Sequence, residues 1–307
     1  MDADEGYASK LQEFYRLVTV SCHQSVANLF FVIDIEELRR RRFRNWRQDG
    51  ERKVENPEQA SAFIQEVGIT TLYAASPEFP SLYQAHMGDP NPPNFASWDS
   101  PSGYVYTWRW ELGRPHVAFY GVVVAKKPTW VAFDRLPTVL GALMERRTPK
   151  QLYAAGELSA DAYRLAQAYE GTGGLLSTKE LRARGGFEKG KESRAAYLKA
   201  VDELDARLWL AKRCGMEDGG DEMSHALVTA HYSDAASAAM KLDPVEALAD
   251  LLAEVIRHSV YLDPKPISRH LRIRAQTFDA SLLHLEDKGV AHRQIIGNRT
   301  LYIPPNC

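Results

Sequence analysis

Apolar positions along the chain switch between a helical period and a strand period, and the switches mark out the elements. Behind an Asn56-Pro57 start, Phe63, Ile64 and Val67 recur at helical spacing until Gly68 stops them. A short strand is predicted over residues 69–74, and Pro80-Ser81-Leu82-Tyr83 opens a further helical turn. Residues 88–103 lose all periodicity among Asn, Asp, Pro and Gly, which predicts a long loop of the kind that often carries function. Tyr104, Tyr106, Trp108 and Trp110 then alternate, a pattern open to a strand or an aromatic-rich helix. Over residues 117–133, two β-branched and aromatic runs flank a Lys-Lys-Pro turn, the pattern of a hairpin. Helices are predicted over 136–144 and 149–170, the second broken near Gly156 with Ser159 as a cap.

The stretch from Gly174 to Met216 has the densest signals. Ser177 with Glu180 three residues on is a capping-box start, and Gly185-Gly186 ends the short helix it opens. A longer helix follows with Tyr197, Val201, Leu204 and Leu208 on one face. The strand-like run from Leu208 to Ala211 comes next, then Gly215 as a turn. Short helix, turn, longer helix and strand is the order of a helix-turn-helix with a wing. Further on, Asp243-Pro244-x-Glu246 starts a helix striped by Leu248, Leu251, Leu252, Val255 and Ile256. A helical turn over 266–273 precedes a helix lined by Phe278, Leu282 and Leu285, and residues 290–303 form a hairpin around Gly297-Asn298. Tyr197, Val201 and Leu204 correspond to Phe278, Leu282 and Leu285 at a constant offset of 81, so the module is expected twice.

The predicted fold is α+β, mainly helical with short β-hairpins and tandem winged-helix modules. Its segments are a helical stretch over 1–55, an α/β layer over 56–156, a winged helix over 157–216, an acidic connector over 217–242 and a second winged helix over 243–307. Within the first of these, residues 8–47 read as mainly helical and close on LRRRRFRNWR. That basic end is open to two readings, a phosphate grip or import patch and a solvated helix end.

Charge supports the division. The chain of 307 residues has a formal net charge of −2, but the sign is segregated. Residues 177–213 carry ten Lys/Arg against six Asp/Glu, and residues 264–303 carry seven against three. Between them, residues 214–263 hold two against ten. Two basic modules flanking an acidic segment point to nucleic acid, and make residues 217–263 a possible protein-contact surface. With 45% hydrophobic residues the chain can bury a normal core.

Cys22, Cys214 and Cys307 are too scattered for a zinc site or a disulfide framework. His225 and His231, or His284 and His292, lack metal-ligand spacing, so neither a metal nor a cofactor is expected. The acidic start lacks the apolar stretch of a signal peptide, and no apolar run reaches the ~20 residues of a membrane span, so a cytoplasmic protein is expected.

The candidate DNA-binding residues of the first module are Lys179, Arg182, Arg184, Lys189, Lys191, Arg194 and Lys199, with Tyr197 on the same helix. Those of the second are Arg272, Arg274, Gln276 and Thr277, with Arg299 on the wing. Gln276 suits bidentate contact with adenine. A base pocket would need aromatic faces and an acid, and Trp98, Trp108 and Trp110 stand beside Asp99 and Glu111. Asp99 or Glu111 would then stabilise an oxocarbenium-like sugar. The bland alternative makes these aromatics core and these acids caps.

Pro80-Ser81-Leu82-Tyr83, Trp98-Asp99, Thr107-Trp108-Arg109-Trp110, Phe119-Tyr120-Gly121 and the run from Leu176 to Leu181 together resemble the AlkZ-related winged-helix proteins, relatives of the AlkZ-type DNA glycosylases. The resemblance spans roughly 57–303. It implies a tandem winged-helix fold, binding of double-stranded DNA and, in characterised members, excision of alkylated or crosslinked bases. Those glycosylases carry a Gln-x-Asp or Gln-x-Gln motif where this chain reads VGITTLYAASPEFPSL, with no such pair. Three functions are therefore expected in this order: a DNA-binding protein of repair or regulation, a glycosylase with rearranged residues, and a protein-interaction scaffold.

Overall fold

The computed structural model describes residues 34–95, 97–187, 190–214 and 223–305. Residues 38–307 form one compact unit; of residues 1–37 only the last four are described. Cys22, Cys307 and Lys189 lie outside the described residues. The chain is α+β, roughly half helical, with a small antiparallel sheet. Among the described residues no helix is long and apolar enough to cross a membrane.

Helix α1 (Ile35–Asn45) has acids in its first turn and Arg42 and Arg44 in its last, the order its dipole favours. Its buried stripe steps by four through Leu38 and Arg42 to Trp46 just beyond its end.

The Asn56 side chain accepts the Gln59 N–H and Pro57 follows at the first turn, so helix α2 (Pro57–Val67) starts where the sequence predicts. It ends at Gly68, whose φ of 74° needs a residue without Cβ strain. Strand β1 (Ile69–Thr71), the short helix α3 (Leu82–Met87) and helix α4 (Pro101–Gly113) follow. The alternating aromatics are thus helical. Ser100 caps α4 by accepting the Gly103 N–H, and Val105, Trp108 and Leu112 face the core at helical spacing. Strands β2 (Phe119–Val122) and β3 (Pro128–Val131) make the predicted hairpin, and β1 adds to the far side of β3. After it, helices α5 (Leu136–Leu143) and α6 (Pro149–Ala154) lead onward.

The same plan recurs from helix α7 (Ala160–Gln167), through strand β4 (Leu175–Ser177), helix α8 (Thr178–Arg184), helix α9 (Lys191–Asp205) and strands β5 (Leu210–Cys214) and β6 (Met223–Leu227). The capping box forms in both directions, with Ser177 Oγ accepting the Glu180 N–H and the Glu180 carboxylate accepting the Ser177 N–H. Tyr197, Val201, Leu204 and Leu208 are all buried. β4 pairs with β6, which pairs with β5, and a Gly121–Ala211 pairing joins this set to the first in one six-stranded sheet. The expected boundary after residue 216 therefore falls inside a hairpin. Strand β6 belongs to the sheet, and helices α10 (Val228–His231) and α11 (Ser233–Lys241) follow it directly within the stretch expected as an acidic connector. α11 packs on α5 through buried Ala236 and Ala239.

A third instance begins with helix α12 (Pro244–Ser259), capped by Asp243 through the Val245 and Glu246 N–H groups. Leu262 bridges to Tyr302 in place of a first strand. Helices α13 (Pro264–His270) and α14 (Ala275–Asp287) and the hairpin β7 (His292–Ile296) and β8 (Arg299–Ile303) complete it. Phe278, Leu282 and Leu285 are buried, as are their counterparts Tyr197, Val201 and Leu204. Helix, strand, two helices and a hairpin, with the first strand on the outer hairpin strand, thus occurs three times. The sequence pattern had two; residues 57–131, expected as an α/β layer, are the addition.

A candidate nucleic-acid cleft

Arg42 stands in the buried stripe of α1, and its surroundings explain why a charge is tolerated there. Its Nε donates to the Ser259 carbonyl at 2.7 Å and Nη1 to the Pro77 carbonyl at 2.9 Å. Nη1 and Nη2 reach the two Glu78 carboxylate oxygens at 3.3 and 3.1 Å, and Nη2 also donates to the Tyr261 carbonyl. The guanidinium lies over the Tyr261 ring at 3.5 Å. Glu78 takes a further bond from the Asp263 N–H at 3.1 Å. Burial raises the Glu78 pKa, opposed by the charge and hydrogen bonds of Arg42. Arg42 is therefore a buried pin between the first and third modules, not the phosphate grip or solvated helix end that its basic run suggested.

Above this pin lies a cleft of about 1330 Å³. One side is the end of α1 and residues 74–78. The other is the third module, with Phe278, Asp279 and Leu282 of α14 and Arg293, Arg299 and Tyr302 of its hairpin. Arg39 and Lys265 also line it, so positive groups outnumber the acids Asp263 and Asp279 once Arg42 and Glu78 neutralise each other. Its exposed arginines, Arg293 and Arg299, form a surface suited to phosphate, while Tyr261, Phe278, Leu282 and Tyr302 are buried in its floor.

Deep in the 74–78 stretch, Ser76 meets His270 across the modules, with Oγ 2.8 Å from Nδ1. Ser76 Oγ also accepts the Glu78 N–H at 3.1 Å. Burial and the Arg269 charge hold the His270 pKa below its ordinary value.

Of the predicted DNA-binding residues, Arg299 lines the cleft, while Arg274 and Gln276 are exposed at the start of α14 and Thr277 is half-buried there. Arg272 is turned inward. It is half-buried, its guanidinium donates to the Val122 carbonyl at 3.2 Å, and burial lowers its pKa. Lys179, Arg184, Lys191, Arg194 and Lys199 are exposed on the second module, and the cleft includes none of them. Arg182 is half-buried, its guanidinium 5.6 Å from the centre of the Tyr197 ring, and Tyr197 itself is core at 3% exposure.

The aromatic stretch divides as sharply. Trp98 is 68% exposed and packs edge-on against Tyr106. Trp108 is fully buried against His86 and Tyr104, and Trp110 is 7% exposed, so neither offers a ring face to a base. Asp99 is exposed beside Trp98, and exposed Glu111 accepts a bond from Thr107 Oγ1 at 3.0 Å on its own helix. None of these residues lines the cleft. Among the described residues no three His, Cys, Asp or Glu side chains gather where they could hold a metal.

Sequence reasoning passed over Arg42, Ser76, Glu78 and His270. One signal was available: Leu38, Arg42 and Trp46 repeat every four residues, which puts one arginine of the basic run on the apolar face. The Ser76–His270 pairing, 194 residues apart, left no trace in local pattern.

The fold places the protein among repeat-built α+β proteins, and the comparisons give the family. The AlkZ-related family model matches residues 54–272, and the chain belongs to that family. Among solved structures, the Streptomyces sahachiroi DNA glycosylase AlkZ aligns with a TM-score of 0.53 and 14% identity, over 87% of this chain and 70% of that one. At such identity the likeness speaks for the fold. No curated protein matches the chain.

Proposed function

We propose that the protein is a DNA-binding protein of DNA repair, built from three tandem winged helices, with duplex DNA held against the cleft between the first and third. The observation that carries this reading is the third-module wall, where α14 and the hairpin arginines Arg293 and Arg299 face one groove. A winged helix sets its second helix into the major groove and its wing on the backbone, and phosphate contacts supply most of the affinity. Family membership and the fold shared with a DNA glycosylase support the same reading. Arg274, Gln276 and Arg299 are its base and phosphate contacts on the third module, and Lys179, Arg184, Lys191, Arg194 and Lys199 are outer contacts for DNA that continues past the cleft.

A labelled duplex titrated by fluorescence anisotropy tests it. Binding whose log K falls with log salt at about −0.9 per phosphate contacted is expected. Salt-independent binding, or none at low salt, overturns it.

Base excision is the second reading, favoured by the neighbour's activity and by Trp98, whose exposed ring stands next to Asp99. In it Trp98 stacks the base, and Asp99 or Glu111 stabilises the sugar cation. Base release from alkylated duplex that disappears in Asp99→Asn or Glu111→Gln supports it, and undiminished release in both variants removes that site.

A further inference from the structure

One member of the Thr107-Trp108-Arg109-Trp110 run, Arg109, lies outside the cleft and is half-buried on α4. Its guanidinium stands 3.6 Å from the centre of the Tyr106 ring and 3.8 Å from that of Trp110. The two rings meet edge-on, 5.5 Å apart with planes at 86°, so they form a corner in which the guanidinium is seated. The backbone is fixed as well, because the Arg109 carbonyl accepts the Cys214 thiol at 3.1 Å and ties α4 to β5. Stacking on rings uses the faces of a guanidinium and leaves its N–H edge.

That edge is unspent. Arg109 Nε is buried without a partner, and the two Nη atoms make no hydrogen bond or ion pair among the described residues. Other half-buried arginines are engaged: Arg47 with Glu66, Arg135 with Glu254 and Arg272 with the Val122 carbonyl. The phenols of Tyr73 and Tyr120 stand within reach of the Arg109 charge, but burial raises both pKa values, so they stay neutral and cannot balance it. Glu111, two residues on, accepts the Thr107 hydroxyl instead. A half-buried cation without a counter-charge carries a desolvation cost that an anionic ligand recovers.

The surroundings narrow the anion. A planar fork held in one direction matches an oxyanion that offers two oxygens. Arg109 lines neither the cleft nor the two smaller cavities beside Val67 and Trp209, so nothing there encloses an organic body. A phosphate group needs no enclosure: two oxygens meet the fork while the others keep their water.

We propose that Arg109 binds a phosphate group through its Nη edge, with Tyr106 and Trp110 holding the guanidinium in direction. Arg109 is the contact residue and the two aromatics are positioning residues. The phosphate is either a free phosphate or part of a DNA backbone, and the site stands apart from the cleft.

Two arms on the full chain separate the sources. In the first, inorganic phosphate is titrated while the tryptophan indole ¹⁵N–H signals are followed by NMR, with chloride at matched ionic strength as the control. The Trp110 signal is expected to shift saturably. Arg109→Gln should weaken that binding at least about tenfold, the effect of losing charged hydrogen bonds. In the second, duplex binding is followed by anisotropy across salt, where loss of one phosphate contact in Arg109→Gln makes the slope of log K shallower by about 0.9. A loss in the first arm alone assigns a free phosphate, and a change in the second assigns the DNA backbone; either supports the site. Phosphate shifts that survive in Arg109→Gln overturn it, as does a wild type with no shift and a salt slope that Arg109→Gln leaves unchanged. A wild type that binds no duplex ends the DNA-binding reading and leaves the first arm to decide this one. Arg109→Lys keeps the charge and the stem but not the fork, and should weaken binding about two- to tenfold wherever Arg109→Gln does, which preserves the test if Arg109→Gln fails to fold.

Discussion

The Arg42 guanidinium and the Glu78 carboxylate meet at 3.1 Å, and each side chain is only 3% exposed. Burying an ion pair brings little net stability, but stripping one partner leaves an uncompensated charge. The two partners are unequal here. Arg42 also serves the carbonyls of Pro77, Ser259 and Tyr261, so its loss orphans three backbone acceptors besides the carboxylate. Arg42→Met should lower unfolding stability by about 3–5 kcal/mol in chemical denaturation, and Glu78→Gln, which keeps an acceptor, by less. A smaller loss in Arg42→Met than in Glu78→Gln would refute the pin.

Two histidines give stability a pH dependence of known sign. Burial, reinforced by the Lys212 charge, lowers the His225 pKa to about 3, and burial with Arg213 and His231 nearby lowers that of His116 to about 4. In the unfolded chain both protonate near 6.5, so the unfolded state takes up protons first and stability falls as pH drops from about 6.5 toward 4. In thermal melts across that window, His225→Leu should gain on the wild type as the pH falls, by at most about 1.4 kcal/mol per unit. Parallel curves would contradict a buried neutral His225.

The aromatic stretch shows what sequence could and could not supply. The caps at Asn56, Ser177 and Asp243 and the hairpins over 117–133 and 290–303 were legible because local chemistry decides them. Four alternating aromatics before Gly113 were not, because the same residues satisfy a strand period and, through Val105, Trp108 and Leu112, a helical one. The repeat in residues 57–131 was hidden by the long loop between α3 and α4 and by the brevity of α3. The cleft was invisible for a different reason: its walls come from segments nearly two hundred residues apart.

Trp98 and Trp108 should accordingly behave as different kinds of residue. Trp108→Ala empties a fully buried site and should cost about 3–5 kcal/mol. Trp98→Ala, at 68% exposure, should stay within about 0.5 kcal/mol of wild type. Equal losses in urea unfolding would show that the loop carries core packing.

Gly103 holds that loop to α4. A Cβ there would overlap the carbonyl oxygens of Ser97 and Trp98, which are backbone atoms and cannot swing aside. Gly103→Ala should destabilise by about 1–3 kcal/mol and shift the Trp98 fluorescence as the loop lifts. An unchanged spectrum with unchanged stability would mean the loop is not seated on the helix.

The central claim is that DNA lies in the cleft between the first and third modules, and charge reversal on two faces tests it most directly. Arg293→Glu with Arg299→Glu changes the cleft wall, and Lys191→Glu with Arg194→Glu changes an exposed face of the second module outside the cleft. Duplex affinity at fixed low salt should fall at least about tenfold in the first pair and clearly less in the second, with a shallower salt slope in the first. A large loss confined to the second pair would place the DNA on the second module and contradict the account.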